Sequence, residues 1–234
     1  MIQDRILKKE GYVILEKFIP SLLISDFIKV LPNLKPVRAI DSENNYAERN
    51  DIKNLKDISV WWSQEVDNLK ETIAIKRLVT PLIQDHFAKL VPYISDVVTI
   101  NKKSQYVKPH VDTPHRFKPW NFTNSLLGIQ CIIPLMNVTK ENGSTGLVPF
   151  SHKRDFDIDE CYQGKYNRWF LDNCTQHNMS KGSLLFYNCR TLHSSMPNNT
   201  DIDRPALLIN YLDRSIIDEV RKLDNVWMSN GKSS

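Results

Sequence analysis

Apolar and polar positions alternate from Gly11 to Phe18, the spacing of a strand with one buried face. From Ser21 to Leu31 the apolar residues Leu22, Leu23, Phe27, Ile28 and Leu31 recur at helical intervals, and Pro20 and Ser21 supply start signals. Residues 33–60 are polar and Asn-rich with little periodicity, and read as a long excursion outside the core. A longer helix is expected from Gln64 to about Leu90, kinked or divided at Pro81, where a backbone donor is missing.

Beyond Pro92 the pattern changes. Short β-rich runs follow at Val97–Lys102, Leu126–Leu135, Gly146–Val148, Ser183–Phe186 and Ala206–Leu212. Turn signals separate them, among them Glu141-Asn142-Gly143 and Lys181-Gly182. Short strands with irregular connections predict a β-sandwich or barrel. The loops at 113–125 and 153–180 are long, and long loops in a compact domain carry function or are disordered. The expectation is one mainly β domain with flanking helices, over 1–234. Its parts are a helical N-terminal part (1–92), a β-core (93–215) and a C-terminal tail (216–234).

Composition narrows this little. With 234 residues, 41% hydrophobic and 25% charged, the chain has the balance of a soluble globular protein large enough to bury its own core. Only 7 glycines exclude collagen-like and Gly-rich linker readings. The 4 cysteines (Cys131, Cys161, Cys174 and Cys189) form no CxxC pair and read as reduced thiols, which points to the cytoplasm. The longest apolar run, Leu126 to Met136, is cut by Gln130 and Pro134, so no membrane span is expected. The first residues carry Asp4 and only a four-residue apolar run after the lysines, unlike a secretory signal. A net charge of +4 without a basic tail gives no reason to expect nucleic acid.

Three features carry candidate chemistry. In His110-Val111-Asp112 an extended backbone would project the imidazole and the carboxylate to one side, as two ligands of a metal. The pair could equally be a surface His and Asp in a loop, since a chain with 6 histidines and 27 acidic residues meets such a pair by chance. His193 follows the apolar run Leu184-Leu185-Phe186 and would complete a 2-His-1-carboxylate set suited to Fe(II), or serve as a structural histidine. Arg204, before Pro205 and the apolar ALLINYL, would grip a carboxylate through two parallel hydrogen bonds, or form a surface ion pair.

Together these features resemble the phytanoyl-CoA dioxygenase family of Fe(II)- and 2-oxoglutarate-dependent oxygenases. The likeness rests on His110-x-Asp112, on Glu141-Asn142-Gly143 running to Val148-Pro149-Phe150-Ser151-His152-Lys153, on Lys181-Gly182-Ser183-Leu184-Leu185-Phe186 leading to His193 and Asn198, and on Arg204. Phe150 stands where the family's signature usually has Gly. The opening GYVILEKFIPSLLISDFIKVL resembles the family's N-terminal strand and helix. The likeness covers residues 10–30 and 95–213, and covers 33–90 poorly.

The resemblance implies a double-stranded β-helix, the cupin-like jelly roll. It implies His110, Asp112 and His193 as iron ligands and catalytic residues, and Arg204 as anchor of the distal carboxylate of 2-oxoglutarate. Ser195 matches a hydroxyl beside that Arg, Gln130 sits on a strand expected to line the pocket, and Thr113 and Thr99 complete the cosubstrate candidates. O2 is the oxidant, succinate and CO2 are products, and a small-molecule substrate is hydroxylated. A retained Asp112 points to hydroxylation, desaturation or ring closure rather than halogenation. The long loops offer His115, Arg116, Trp120 and Arg168 as substrate contacts, which suggests an anionic or polar substrate; alternatively their aromatics tuck the loops onto the core. An oxygenase acting on a peptide side chain and a non-catalytic jelly-roll binding module are the other readings.

Overall fold

The computed structural model describes residues 2–63 and 66–230. Eleven strands form among them: β1 (Tyr12–Leu15), β2 (Arg38–Asp41), β3 (Tyr46–Glu48), β4 (Ile58–Ser63), β5 (Leu90–Ile100), β6 (Gly128–Pro134), β7 (Thr145–Leu147), β8 (Thr175–Gln176), β9 (Leu184–Asn188), β10 (His193–Ser195) and β11 (Arg204–Asp213). Six helices accompany them: α1 (Ile2–Leu7), α2 (Ser21–Val30), α3 (Lys70–His86), α4 (Ile158–Tyr162), α5 (Asn167–Asn173) and α6 (Ile217–Asn230). None is long and apolar enough to cross a membrane among the described residues.

Eight strands form one antiparallel sheet in the order β1-β9-β6-β11-β5-β4-β2-β3. A smaller sheet, β10-β7-β8, faces it. The period-2 alternation of the strands builds two apolar layers. One face of the large sheet presents Val97, Ile129, Cys131, Ile133, Phe186, Leu207 and Ile209 to Ile24 and Phe27 of α2 and to Ile75, Val79 and Ile83 of α3. The other face, with Tyr12, Ile132, Leu185, Tyr187 and Ala206, packs on Leu147 of the smaller sheet. This is a jelly roll backed by helices, and the mainly β expectation holds.

Three expectations are corrected. Residues 33–60 are not outside the core: β2 pairs with β3 and β4, and β4 pairs with β5, so this stretch extends the large sheet. Its strands are three to six residues long, too short to show a period. The part read as helical, 1–92, therefore contributes four strands as well as helices. The long helix is shorter than expected and runs as α3 through Pro81 undivided, while Leu90 already belongs to β5. The expected start at Gln64 lies outside the described residues. The 153–180 loop contains α4, α5 and β8, and the 216–234 tail contains α6, with 231–234 outside the described residues.

Two turns position the segments near the smaller sheet. Gly143 adopts φ +81°, and a Cβ there would meet the Met196 carbonyl oxygen at 2.6 Å, so only Gly fits the Asn142-Gly143 turn. Phe150 adopts φ 64° and ψ 0°, the left-handed region, at the position where the signature has Gly. The Phe150 N–H donates to the Glu10 carbonyl at 3.0 Å and Lys153 Nζ lies 5.5 Å from the ring centroid, contacts that hold this strained residue in place.

Left-handed backbone costs a non-Gly residue about 1–2 kcal/mol, part of which a Gly returns through its freer unfolded chain. Phe150→Gly is expected to stabilise the protein by about 0.5–1 kcal/mol in denaturant unfolding, and Phe150→Ala to give no gain. Destabilisation by the Gly variant would show that the side-chain contacts outweigh the strain.

Candidate metal centre

The two sheets meet where the segment before Asp112 runs antiparallel to β10. His110 N–H donates to the His193 carbonyl at 2.9 Å, and His193 N–H returns the bond to His110 at 3.0 Å. Val107 N–H donates to Ser195 and Asp112 N–H to Cys189, at 3.0 and 2.8 Å. Directly paired residues project to one face, which sets the two imidazole centroids 4.4 Å apart. Asp112, two residues after His110, joins them on that side.

His110, Asp112 and His193 each offer one ligand atom, and these atoms all lie within 4.8 Å of one another. Nε2 of His110 is 3.9 Å from Asp112 Oδ1, and Nε2 of His193 is 3.4 Å from Asp112 Oδ2. Each imidazole has its other nitrogen on a carbonyl: His110 Nδ1 on Lys108 and His193 Nδ1 on Thr191, both at 2.9 Å. A carbonyl only accepts, so Nδ1 carries the proton and Nε2 presents a lone pair toward Asp112. Burial, then the neighbouring His193, pushes the His110 imidazole down to about 4, against the pull of Asp112. Burial raises the Asp112 carboxyl, but the two imidazoles and a phenol outweigh it and hold it below its ordinary value. At neutral pH His110 is neutral and Asp112 is ionised, and with His193 they make a 2-His-1-carboxylate set, the donor set of a divalent transition metal.

The phenol belongs to Tyr187, which pattern reading missed because it sits in the apolar run LLFYN of β9 and looks like core. Tyr187 is 1% exposed. Its hydroxyl donates to Asp112 Oδ2 at 2.8 Å and lies 3.1 Å from His193 Nε2. The phenol proton goes to the carboxylate, and the two Nε2 atoms and Asp112 Oδ1 converge without a side-chain donor committed to Asp112 Oδ1, so the residues present fit a metal ion.

Arg204 opens β11 on the same face of the large sheet and is 4% exposed. Burial alone depresses its guanidinium to about 10, its Nε has no hydrogen-bond partner, and no acidic side chain among the described residues pairs with it. A buried guanidinium without a counter-ion is costly, and a ligand carboxylate is the group that would relieve it.

Ser195 follows His193 by two residues on β10 and shares its face. Gln130 stands opposite Tyr187 on β6, and its Oε1 accepts from Asn210 Nδ2 at 2.8 Å. Asn210 Oδ1 and Asp96 Oδ1, on the same face of β11 and β5, are buried without partners. Asp96 Oδ2 accepts from Arg38 at 3.2 Å, and burial raises its carboxyl despite that partner. Thr113 is buried beside Asp112, whereas register turns Thr99 to the opposite face from Arg204.

Three of the four loop residues, His115, Arg116 and Trp120, help to hold their loop. His115 is fully buried with Nδ1 on the Trp120 carbonyl at 3.0 Å. Trp120 packs with Leu212 and Val220, against α6. Arg116 pairs with Asp224 of α6 at 2.5 Å, although its charge still acts on His110 and Asp112. Arg168 lies on the surface of α5 and pairs with Asp172 at 2.9 Å. Arg190, which the sequence did not flag, is 3% exposed and donates to the Thr123 carbonyl, Asn124, the Arg154 carbonyl and Asp155 at 2.6–3.0 Å, clamping both long loops to the turn before His193.

A model of the phytanoyl-CoA dioxygenase (PhyH) family matches residues 7–206, including the 33–90 stretch where the motif likeness was poor. No curated protein sequence matches. Solved structures share the fold. The epimerase SnoN in complex with Fe3+, alpha ketoglutarate and nogalamycin RO aligns with TM-score 0.70 at 19% identity, over 91% of this chain and 82% of that one. HygX from Streptomyces hygroscopicus, with nickel, 2-oxoglutarate and hygromycin B bound, gives 0.65 at 14%, over 91% and 86%. EctD from S. alaskensis, with 2-oxoglutarate and 5-hydroxyectoine, gives 0.65 at 16%, over 91% and 76%.

Burial holds the His115 imidazole near 4, below its ordinary 6.5, so it stays neutral in the fold while the unfolded chain takes up a proton. Its stabilising contribution is complete above pH 6.5 and is lost as pH falls toward 4. The metal-free protein is expected to lose stability between pH 7 and pH 5, and His115→Gln to shrink that loss by about 2 kcal/mol, read from urea midpoints. An unchanged pH slope in the variant would contradict the buried, neutral state.

Proposed function

Because this chain belongs to the phytanoyl-CoA dioxygenase family, we propose that it is an Fe(II)- and 2-oxoglutarate-dependent dioxygenase that hydroxylates a small molecule. The reaction converts substrate C–H, O2 and 2-oxoglutarate into substrate C–OH, succinate and CO2. The observation that carries this reading is the pairing of the His110, Asp112 and His193 donor set with a buried guanidinium, Arg204, that has no carboxylate of its own.

Iron and 2-oxoglutarate, when bound, supply an oxidant able to take hydrogen from an unactivated C–H bond. The chain's residues do the rest. His110 and His193 would hold the metal through Nε2, their tautomers fixed by Lys108 and Thr191. Asp112 would supply the anionic ligand. Arg204 would bind the far carboxylate of 2-oxoglutarate through charge-assisted hydrogen bonds inside a site that excludes water. Ser195 and Gln130 stand on the same two faces as further cosubstrate contacts.

For the substrate, the polar option has more support than the anionic one. Arg38 and Arg116 are each paired with an acid, Asp96 and Asp224, so each already has a counter-ion. The unpartnered oxygens of Asp96 and Asn210 call for hydrogen-bond donors, as hydroxyl or amine groups supply. The four unpaired cysteines suit a reducing cytoplasm, where we place the protein.

Purified protein with Fe(II), O2 and 2-oxoglutarate is expected to form succinate even without substrate, and His193→Ala to abolish it. Succinate formation by wild type no faster than by that variant would sink the reading. Arg204→Leu should weaken 2-oxoglutarate binding at least ~30-fold while raising the melting temperature of the metal-free protein, since a lone buried charge disappears. Unchanged binding would remove Arg204 from the cosubstrate site.

A further inference from the structure

Tyr187 does more than fill the core. Its ring is fixed by the sheet, with Tyr12 of β1 and Gln130 of β6 directly opposite it on either side. It also lies against the His193 ring, with centroids 4.6 Å apart. The hydroxyl therefore has little choice of direction, and it meets Asp112 Oδ2 at 2.8 Å.

Both oxygens of Asp112 are within reach of a metal. Oδ1 is 3.9 Å from His110 Nε2 and Oδ2 is 3.4 Å from His193 Nε2. Nothing in a bare carboxylate would stop it from chelating through both. That matters for an iron with six positions. Two imidazoles and one carboxylate oxygen leave three positions open, the number that a chelating 2-oxo acid and O2 together require. A second carboxylate oxygen would take one of them.

We propose that Tyr187 is a positioning residue that makes Asp112 a one-oxygen ligand: its hydroxyl occupies Oδ2, leaving Oδ1 for the metal and three positions open. The proposal rests on the metal and 2-oxoglutarate reading above. It assigns to one phenol the coordination number of the centre, and hence its capacity for the cosubstrate. Among the described residues Asp112 Oδ2 has no other hydrogen-bond donor of this kind, so the device depends on a single oxygen atom.

The test uses the full chain with cobalt(II) as the metal probe and 2-oxoglutarate as the second ligand. Wild type is expected to bind one cobalt per chain. Tyr187→Phe should bind cobalt ~10–100-fold more weakly, the usual effect of removing an outer hydrogen bond to a metal ligand. The cobalt-loaded variant should also bind 2-oxoglutarate about tenfold or more weakly, with a visible cobalt spectrum altered from that of wild type. A packing role alone would move the melting temperature of the metal-free protein but not these two affinities. Tyr12→Phe, which removes the neighbouring hydroxyl that meets His177 at 2.9 Å, should match wild type in both. Equal cobalt and 2-oxoglutarate affinities in Tyr187→Phe and wild type would overturn the proposal. A crystal structure of cobalt-loaded wild type decides it independently, including where the variant does not fold: Oδ1 alone on the metal supports it, and both oxygens on the metal overturn it. Wild type that takes up no cobalt would remove the metal reading, and the proposal with it.

Discussion

Two backbone hydrogen bonds between His110 and His193 hold the site together. They join residues 83 positions apart in sequence, and they do so as a reciprocal antiparallel pair. That geometry gives the two imidazoles a common direction before any side-chain contact is considered. The bonds of Val107 to Ser195 and of Asp112 to Cys189 extend the pairing on either side. The segment carrying HxD is thus laced to β10, and the carboxylate follows from the two-residue period of an extended chain. Arg190 holds both long loops to the same turn. The candidate metal centre is therefore a property of strand pairing, and rigid backbone rather than loops sets its dimensions.

The large sheet contributes the other half. β11 lies between β5 and β6, with ten register partners on one side and seven on the other, and it opens at Arg204. A guanidinium at the start of so well-anchored a strand cannot swing out to water. Its charge stays buried without a counter-ion, a cost that a ligand carboxylate would relieve. The same face carries Tyr187, Gln130 and Asn210 in one row across β9, β6 and β11, with Asp96 on β5 beyond. This polar row crosses an otherwise apolar layer and runs from the His110, Asp112 and His193 cluster toward Arg38.

Much of this was legible from the chain alone, for local reasons. Gly143 shows in the turn it must make, while His110, Asp112, His193 and Arg204, each weak alone, stand out as a set through their order and the family resemblance. Phe150 was visible as a departure from the signature, and its left-handed backbone explains why the signature has Gly there. What stayed hidden depends on distant partners. Arg116 is paired with Asp224, 108 residues away, and Trp120 packs on Val220, partners that no local pattern announces. Tyr187 reads as one more apolar strand residue, because only the fold brings Asp112 to its hydroxyl. β2, β3 and β4 escaped notice because a strand of three to six residues is too short to show a period.

The central claim is that one metal on His110, Asp112 and His193 and one 2-oxoglutarate on Arg204 share a single centre. An anaerobic titration tests it most directly, with Fe(II) and 2-oxoglutarate added in turn while visible charge-transfer absorption is followed. The account predicts no band with either component alone, and a band that saturates at one iron and one 2-oxoglutarate per chain when both are present. Iron binding that 2-oxoglutarate leaves spectroscopically unchanged at every ratio would contradict it.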